Sequence, residues 1–228
     1  MIRINQNQKQ NIITIDGPSA SGKGAISKRI ATIFGWNILN SGAIYRSLAF
    51  LSIKNKISNS TEKKLIKLAS ELNLKFKIKK NKLHIILNNQ DITLSILDET
   101  IGVVASKIAL FPLLRKKILN IQKSFYKPPG LVAEGRDMGS IVFPKAYFKI
   151  FLDASLKIRA ERRTKQLQNQ GFNVTFKEIF SKIRDRDNSD INRKIAPLIP
   201  GKNALIINST LLNVEEVVQI IFDFVKNS

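Results

Sequence analysis

The stretch "TIDGPSASGKGA", residues 14 to 25, is the first place in this chain where residue types and spacing could do chemistry. Gly17, Gly22 and Gly24 let a backbone turn until several N–H groups point at one anion. A helix that follows adds the positive end of its dipole. Lys23 stands where an ammonium can bridge the terminal phosphates of a nucleotide. The next position, where such a loop usually carries Ser or Thr, is Gly24, and Ala25 follows it. The stretch reads as a phosphate cradle that lacks one hydroxyl. The bland alternative is a tight strand-to-helix turn with an incidental lysine.

The arginines point the same way. Arg46 lies in "SGAIYR", Arg115 in "FPLLRKK", Arg136 in "EGRDMG", Arg162 and Arg163 in "RAERR", and Arg184, Arg186 and Arg193 in "IRDRDNSDINR". Guanidinium grips phosphate with a planar fork. Helix arginines are often only solvated surface. Arg136 is harder to dismiss, because it ends an apolar run, where α/β proteins bind ligands.

No other reactive set stands out. There are no cysteines, so disulfides, thiolate metal sites and thiol nucleophiles are excluded. The one histidine, His84, sits in an alternating segment and reads as an ordinary strand residue. A hydrolase would need a base for water. Transfer between phosphates does not, because a phosphate monoester with a second pKa of about 6 is already mostly dianionic. Catalysis then reduces to positioning and to cancelling charge with Lys, Arg and Mg²⁺.

Regular elements must hold these groups in place. "NIITI" (11–15) is a β-branched run leading into the glycine loop. After it, Ile26, Ile30, Ile33 and Phe34 recur on one helical face. Strand, glycine loop, helix is the context a phosphate loop needs. "WNIL" reads as a strand, and "SGAIYRSLAFLSIK" and "TEKKLIKLASEL" as helices. The period then changes: "LKFKIK" (74–79) and "LHIIL" (83–87) read as an antiparallel hairpin with one wet face, part of a small insert. Helical pattern resumes from Asp98, breaks at Pro112 and continues to "QKSF". "GLVAEG", "YFKIFLD" and "ALIIN" read as buried strands. "ASLKIRAERRTKQLQ", "TFKEIFSKIRDRD" and "NVEEVVQIIFDFVK" read as helices, the last capped by Asn213. This alternation predicts a three-layer α/β fold with a parallel sheet and its site at the strands' C-terminal ends.

Composition sets bounds. With 43% hydrophobic residues the chain can bury a full core. The polar start "MIRINQNQKQ" lacks the apolar centre of a signal peptide, and no apolar run is long enough to span a bilayer. A cytoplasmic protein with no membrane partner is the expectation. The net charge of +21 invites a nucleic-acid reading. Yet the lysines are scattered and accompany heavy use of Ile and Asn, a pattern that A+T-rich codons also produce. Aromatics are only 7%, mostly Phe in apolar positions, so base-stacking faces are not in view and no nucleic-acid partner is expected.

The segments "IDGPSASGKG", "LNSGAIYR", "FPLLR", "GLVAEGRDMGSIVFP", "KIFLDAS", "RAERR" and "RDRDNSDINRKIAPL" follow one another as in the bacterial cytidylate kinases, and the chain resembles that family from Ile12 onward. The resemblance implies transfer of the γ-phosphate of ATP to CMP or dCMP by a monomer, with Mg²⁺ as cofactor. It implies one kinase unit over 1–228: a P-loop core, a monophosphate-binding region over 41–114 enlarged by a β insert near 73–95, and a short lid within 160–193. Gly17, Pro18, Ser19, Ala20, Ser21, Gly22, Lys23, Gly24 and Ala25 would hold ATP. Ser41, Tyr45, Arg46 and Arg136 would hold the acceptor phosphate. Ser106, Arg115, Asp137 and Arg193 would surround the cytosine, with Arg186 and Asp190 on the ribose. Arg162 and Arg163 would close over the transferring phosphate beside Lys23 and Arg136, and Asp16 would hold a metal through water.

Two departures stand out: Asn40 replaces an aspartate of the family pattern, and Ala25 replaces a Thr or Ser. Three rivals remain in view. Another P-loop kinase, acting on a hydroxylated substrate, would need a base, and only Asp16 or Asp137 offers one. A nucleic-acid binder would use the basic charge. A degenerate nucleotide binder is favoured only by Ala25. One neutral hydrogen bond contributes about 0.5–1.5 kcal/mol. Ala25→Thr should therefore tighten ATP by roughly two- to tenfold, read as the KM for Mg-ATP; an unchanged KM would show that the hydroxyl is immaterial here.

Overall fold

The structure is a computed structural model that describes residues 11–57 and 61–227. The chain runs β1 (Ile12–Asp16), α1 (Lys23–Phe34), β2 (Asn37–Asn40), α2 (Ser41–Lys54) and α3 (Glu62–Ser70). An antiparallel excursion follows, with β3 (Leu74–Lys79), β4 (Lys82–Leu87) and β5 (Gln90–Asp91). Next come α4 (Glu99–Ile108), α5 (Pro112–Lys123), β6 (Leu131–Gly135) and β7 (Phe148–Asp153). The chain ends with α6 (Leu156–Gln168), α7 (Phe176–Asn192), β8 (Leu205–Asn208) and α8 (Val214–Lys226).

The main sheet is parallel in the order β2-β6-β1-β7-β8. Its central strand is buried at every position, because helices cover both faces. Ile12, Leu131 and Ala133 face one apolar layer with Leu48 of α2, Leu65 of α3 and Ile118 of α5. Ile13, Ile15, Val132 and Ile150 face the other, with Ile30 of α1 and Ile221 of α8. Each Val, Leu or Ile side chain among them contributes about 1.5–3 kcal/mol on burial. A one-residue slip in register would exchange the two sets of faces.

β1 lies between β6 and β7, so the loop after it opens at the point where strand order reverses. Gly17 begins that loop at φ +147, and a Cβ there would sit 2.0 Å from the Leu152 carbonyl oxygen of β7. No side chain fits, so the loop starts close against the neighbouring strand.

Most predicted elements form where expected, and Asn213 does cap α8, in a capping box with Glu216. Three features differ. The hairpin gains a third strand, β5, whose two residues are too short to show a period. Helix α7 runs on to Asn192, past the point where its apolar pattern fades. And the "EGRDMG" segment is no plain loop: Met138–Val142 form a π-type turn. The hairpin turns through Lys80 and Asn81, both left-handed, and packs Ile78 and Leu83 on the core beside α1. His84 Nδ1 lies 2.6 Å from Asp91 Oδ2 within the insert, a local structural contact.

Asp16, the last residue of β1, fastens the π turn. Its two oxygens accept from Met138 N at 2.8 Å and Gly139 N at 2.7 Å. Burial holds the carboxyl up at about 6, against the two amides that pull it down. An unfolded Asp titrates at about 3.9. Between those values the native state binds more protons than the unfolded chain, so the contribution of this group to stability falls as pH rises. Asp16→Asn should lose about 1–3 kcal/mol for the amide it cannot satisfy. Its stability should also rise more steeply with pH than the parent's between about pH 4 and pH 6. Urea melts across that range check both, and parallel curves would mean that Asp16 does not titrate there.

Candidate active site

The loop from Gly17 to Ala25 wraps one end of a cleft of about 450 Å³, and residues from Ser19 to Ala25 line it. Helix α1 starts at Lys23, so its N-terminal end faces this space. Lys23 is buried, and its Nζ donates to Pro18 O at 2.5 Å and Ser21 Oγ at 3.3 Å. Burial lowers its pKa, Arg136 lowers it further, and Glu134 opposes both.

Glu134 is a residue that sequence reasoning missed. It stands in "AEG" one step before the glycine that ends β6, buried between two layers of apolar side chains. Burial raises its carboxyl above the usual range, with Lys23 and Arg136 pulling the other way. A Cβ on Gly24 would lie 3.6 and 3.7 Å from its oxygens, so the carboxylate sits directly against the phosphate loop. Asn40 donates to Glu134 Oε1 at 2.7 Å and, through Oδ1, caps α2 by accepting from Ala43 N at 2.8 Å. The amide serves both partners. An aspartate at 40 would cap equally well but set two carboxylates face to face.

Ser19 is the loop's other anchor. Its amide donates to Asp187 Oδ1 at 3.3 Å, its carbonyl accepts from Arg159 Nη1 at 3.1 Å, and its hydroxyl accepts from Arg136 Nη2 at 2.7 Å. Arg159 of α6 and Asp187 of α7 form a buried ion pair with each other. Neither was singled out from the sequence. Only their place in the "RAERR" and "RDRD" runs hinted at them. Leu167, Ile179 and Ile183 give α6 and α7 a small core of their own, against which Ala20 of the loop packs.

A second, smaller chamber adjoins the cleft. Of the residues expected to hold the acceptor, Ser41, Tyr45, Ser106, Arg115 and Arg136 line it, together with Asp137, Arg186, Asp190 and Arg193. Arg46 lines the main cleft instead, and Arg136 and Arg186 border both spaces. Ser41 Oγ accepts from Gln122 at 2.8 Å, another partner the sequence did not disclose. Tyr45 is pushed up to about 12 by burial, and Arg115 lies 6.0 Å over its ring. Arg115 is ion-paired to Asp137. Ser106 Oγ donates to Gly102 O of its own helix.

Asp190 accepts from Arg136 Nε at 2.8 Å and from Arg193 Nη1 at 3.3 Å. Burial would raise its carboxyl, but Arg136, Arg186 and Arg193 outweigh that and hold it low. Arg186 Nε and Arg193 Nη2 are buried N–H groups with no hydrogen-bond partner among the described residues. Such donors carry a cost of about 1–3 kcal/mol until something accepts from them. Both donors belong to residues that line the chamber.

The two neighbouring arginines of α6 do not act as a pair. Arg162 donates to Ser209 O at 2.7 Å and Leu212 O at 3.3 Å, while Arg163 reaches Glu99 and Leu97 O on the far side of the cleft. Both border the cleft. Among the described residues no group of three or more His, Cys, Asp or Glu side chains could hold a metal alone.

A buried lysine in an amide cradle, with arginines on the walls and a donor-rich chamber alongside, suits transfer between two phosphorylated ligands. Comparison with known proteins agrees. The cytidylate kinase family model matches residues 13–227. The cytidylate kinase of Yersinia enterocolitica is 47% identical over 208 residues, covering 91% of this chain and 90% of its own. That of Serratia proteamaculans is 46% identical over 208 residues, covering 91% of each. A crystal structure of an uncharacterized protein from Eubacterium ventriosum shares the fold at TM-score 0.52 and 12% identity, over 96% of this chain and 100% of that one. Matched from the first core strand to the last helix, this chain belongs to the cytidylate kinase family.

Proposed function

We propose that the chain transfers the γ-phosphate of ATP to CMP, and to dCMP, giving ADP and the nucleoside diphosphate, with the roles divided between cleft and chamber. The observation that carries this reading is the chamber itself. It gathers nine expected acceptor residues beside the cleft that the phosphate loop lines, sharing Arg136 and Arg186 with it, and two buried guanidinium N–H groups of its lining residues are unsatisfied.

ATP lies with its phosphates in the amides of residues 19–25 and against Lys23. CMP lies in the chamber with its phosphate toward Arg46 and Arg136, at the border of the two spaces. The acceptor oxygen is already anionic at neutral pH, so no base is required. As it attacks the γ-phosphorus and ADP leaves, charge spreads over the transferring oxygens. Lys23, Arg136, Arg162 and Arg163 cancel it. Residues 41–114, with the β3–β5 insert, serve as the acceptor-binding region, and 160–193 as a lid.

Mg²⁺ supplies further cancellation of phosphate charge when bound. Glu134 fits this role as a holder of its water shell, since it borders both the cleft and the loop, whereas Asp16, expected to do so, spends both oxygens on the Met138 and Gly139 amides and does not line the cleft. Among the described residues no cluster of His, Asp or Glu would cage the ion, so the phosphates would provide most of its ligands. The same reading has the enzyme acting as a monomer in the cytoplasm. Among the described residues no helix is long and apolar enough to cross a membrane.

Base choice rests on Asp137. One of its oxygens is taken by Arg115, and the other can accept from the cytosine amine. Arg193, which lines the chamber, would donate to a cytosine acceptor. Uracil would present a carbonyl to the carboxylate, a mismatch of about 1–3 kcal/mol or more. ADP release from Mg-ATP should appear with CMP, weakly with UMP, and not with AMP or without acceptor. Acceptor-independent turnover would sink the reading. In Asp137→Ala the kcat/KM for CMP should fall by roughly ten- to hundredfold while that for UMP changes little. An unaltered CMP/UMP ratio would remove Asp137 from base recognition.

A further inference from the structure

The segment joining the β insert to α4 carries a device that the substrate reading does not use. Asp98 caps α4 by accepting from Thr100 N at 2.6 Å, which fixes the chain just before the helix. The carbonyls of the residues leading in then point at two arginines from different parts of the fold. Arg46 of α2 donates Nη1 to Ile96 O at 2.7 Å and to Asp98 O at 3.0 Å. Arg163 of α6 donates Nη2 to Leu97 O at 2.9 Å. Glu99, the first residue of α4, completes the set. Its Oε1 accepts from Arg163 Nε at 2.9 Å and Nη2 at 2.5 Å.

Space has been cleared for this arrangement. A Cβ on Gly102, one turn into α4, would fall 2.6 Å from Arg46 Nη2. Arg46 therefore lies flat against the helix that also presents Glu99. Among the described residues, Glu99 is the carboxylate ion-paired to Arg163, and no ion pair forms on Arg46. The pair is shielded, with side chains 12% and 17% exposed, and Glu99 borders the same cleft as Lys23, Arg136 and Arg186.

Like charges crowd here. Arg46, Arg136, Arg163 and Arg186 all border the cleft, and without an anion they would repel one another outward. Glu99 supplies that anion at one fixed point. Burial would raise its carboxyl, yet Arg163 and Arg46 outweigh burial and keep it low, so it stays charged. Bonding through Nε and Nη2 fixes the plane of the guanidinium, and Nη1 donates to Gln166 Oε1 at 3.1 Å.

We propose that Glu99 is a positioning residue for phosphoryl transfer, the carboxylate that aims Arg163 of the lid across the cleft and sets its spacing from Arg46. This rests on the reading of Arg163 as a cation on the transferring phosphate. Glu99 itself touches no substrate. It acts through Arg163, so its loss should appear in kcat and leave nucleotide binding nearly intact.

Steady-state kinetics of Glu99→Ala, Glu99→Gln, Arg163→Ala and the Glu99→Ala/Arg163→Ala double variant test this, with thermal melts to confirm folding. Mispositioning of a catalytic cation costs up to about a hundredfold. Glu99→Ala should lower kcat by roughly ten- to hundredfold, with KM for ATP and CMP within about threefold. Glu99→Gln, which keeps the accepting oxygen, should recover part of the loss. The double variant should be no slower than Arg163→Ala. Full turnover in Glu99→Ala, or losses that multiply in the double variant, would overturn the positioning role and leave the kinase reading standing. Full turnover in Arg163→Ala would overturn the role given to Arg163 and this inference with it.

Discussion

The fold has to hold a dense group of cations together in a partly buried space before phosphate arrives. Lys23, Arg46, Arg136, Arg163 and Arg186 all border one cleft, and burial and repulsion by neighbouring cations both act against the charges of Lys23, Arg46 and Arg186. The protein meets this with its own oxygens, each delivered by a different element. Glu99 from α4 takes Arg163, Asp190 from α7 takes Arg136 and Arg193, and Glu134 from β6 faces Lys23. Arg46 is held by backbone carbonyls rather than by a carboxylate. Breaking a buried pair usually destabilises by more than the pair contributes, because the survivor is stranded. The sheet, the capped helices and the π turn can all be understood as what keeps these oxygens on station.

Ser19 shows how closely the parts are tied. Its amide, carbonyl and hydroxyl are held by Asp187, Arg159 and Arg136, from α7, α6 and the turn after β6. The phosphate loop is therefore shaped as much by the α6–α7 unit as by its own glycines. Ala20 beside it packs into the α6–α7 core, a second tie between loop and unit. The phosphate loop, Arg136 and the α6–α7 unit meet at one residue.

The sequence was most legible where periods are long and chemistry is local. The strand-loop-helix start, the 41–54 helix and the alternating insert all follow from apolar spacing, and each forms at or near its expected bounds. The division between scattered lysines and placed arginines was legible too. Among the described residues every ion pair uses an arginine or His84, and none uses a lysine. What stayed hidden were partners far apart in the chain. Glu134 resembles any strand-end acid until β2 brings Asn40 beside it. Arg159 and Asp187 read as surface charges until two helices cross the loop. The π turn had no signal, because its cause is Asp16, a residue of another strand.

The two departures near the loop belong to one small region and act in opposite directions. Asn40 gives Glu134 a donor in place of a second carboxylate, which favours a charged Glu134 beside the phosphate loop. Ala25 removes a hydroxyl from the same surroundings, a loss of about one hydrogen bond. The cleft retains the loop amides, Lys23 and its arginines, whose summed effect on phosphate charge far exceeds one neutral contact. A cradle defined by backbone and buried charge can lose a hydroxyl and keep its chemistry. It could not lose Gly17, where the strand behind leaves no room for a side chain.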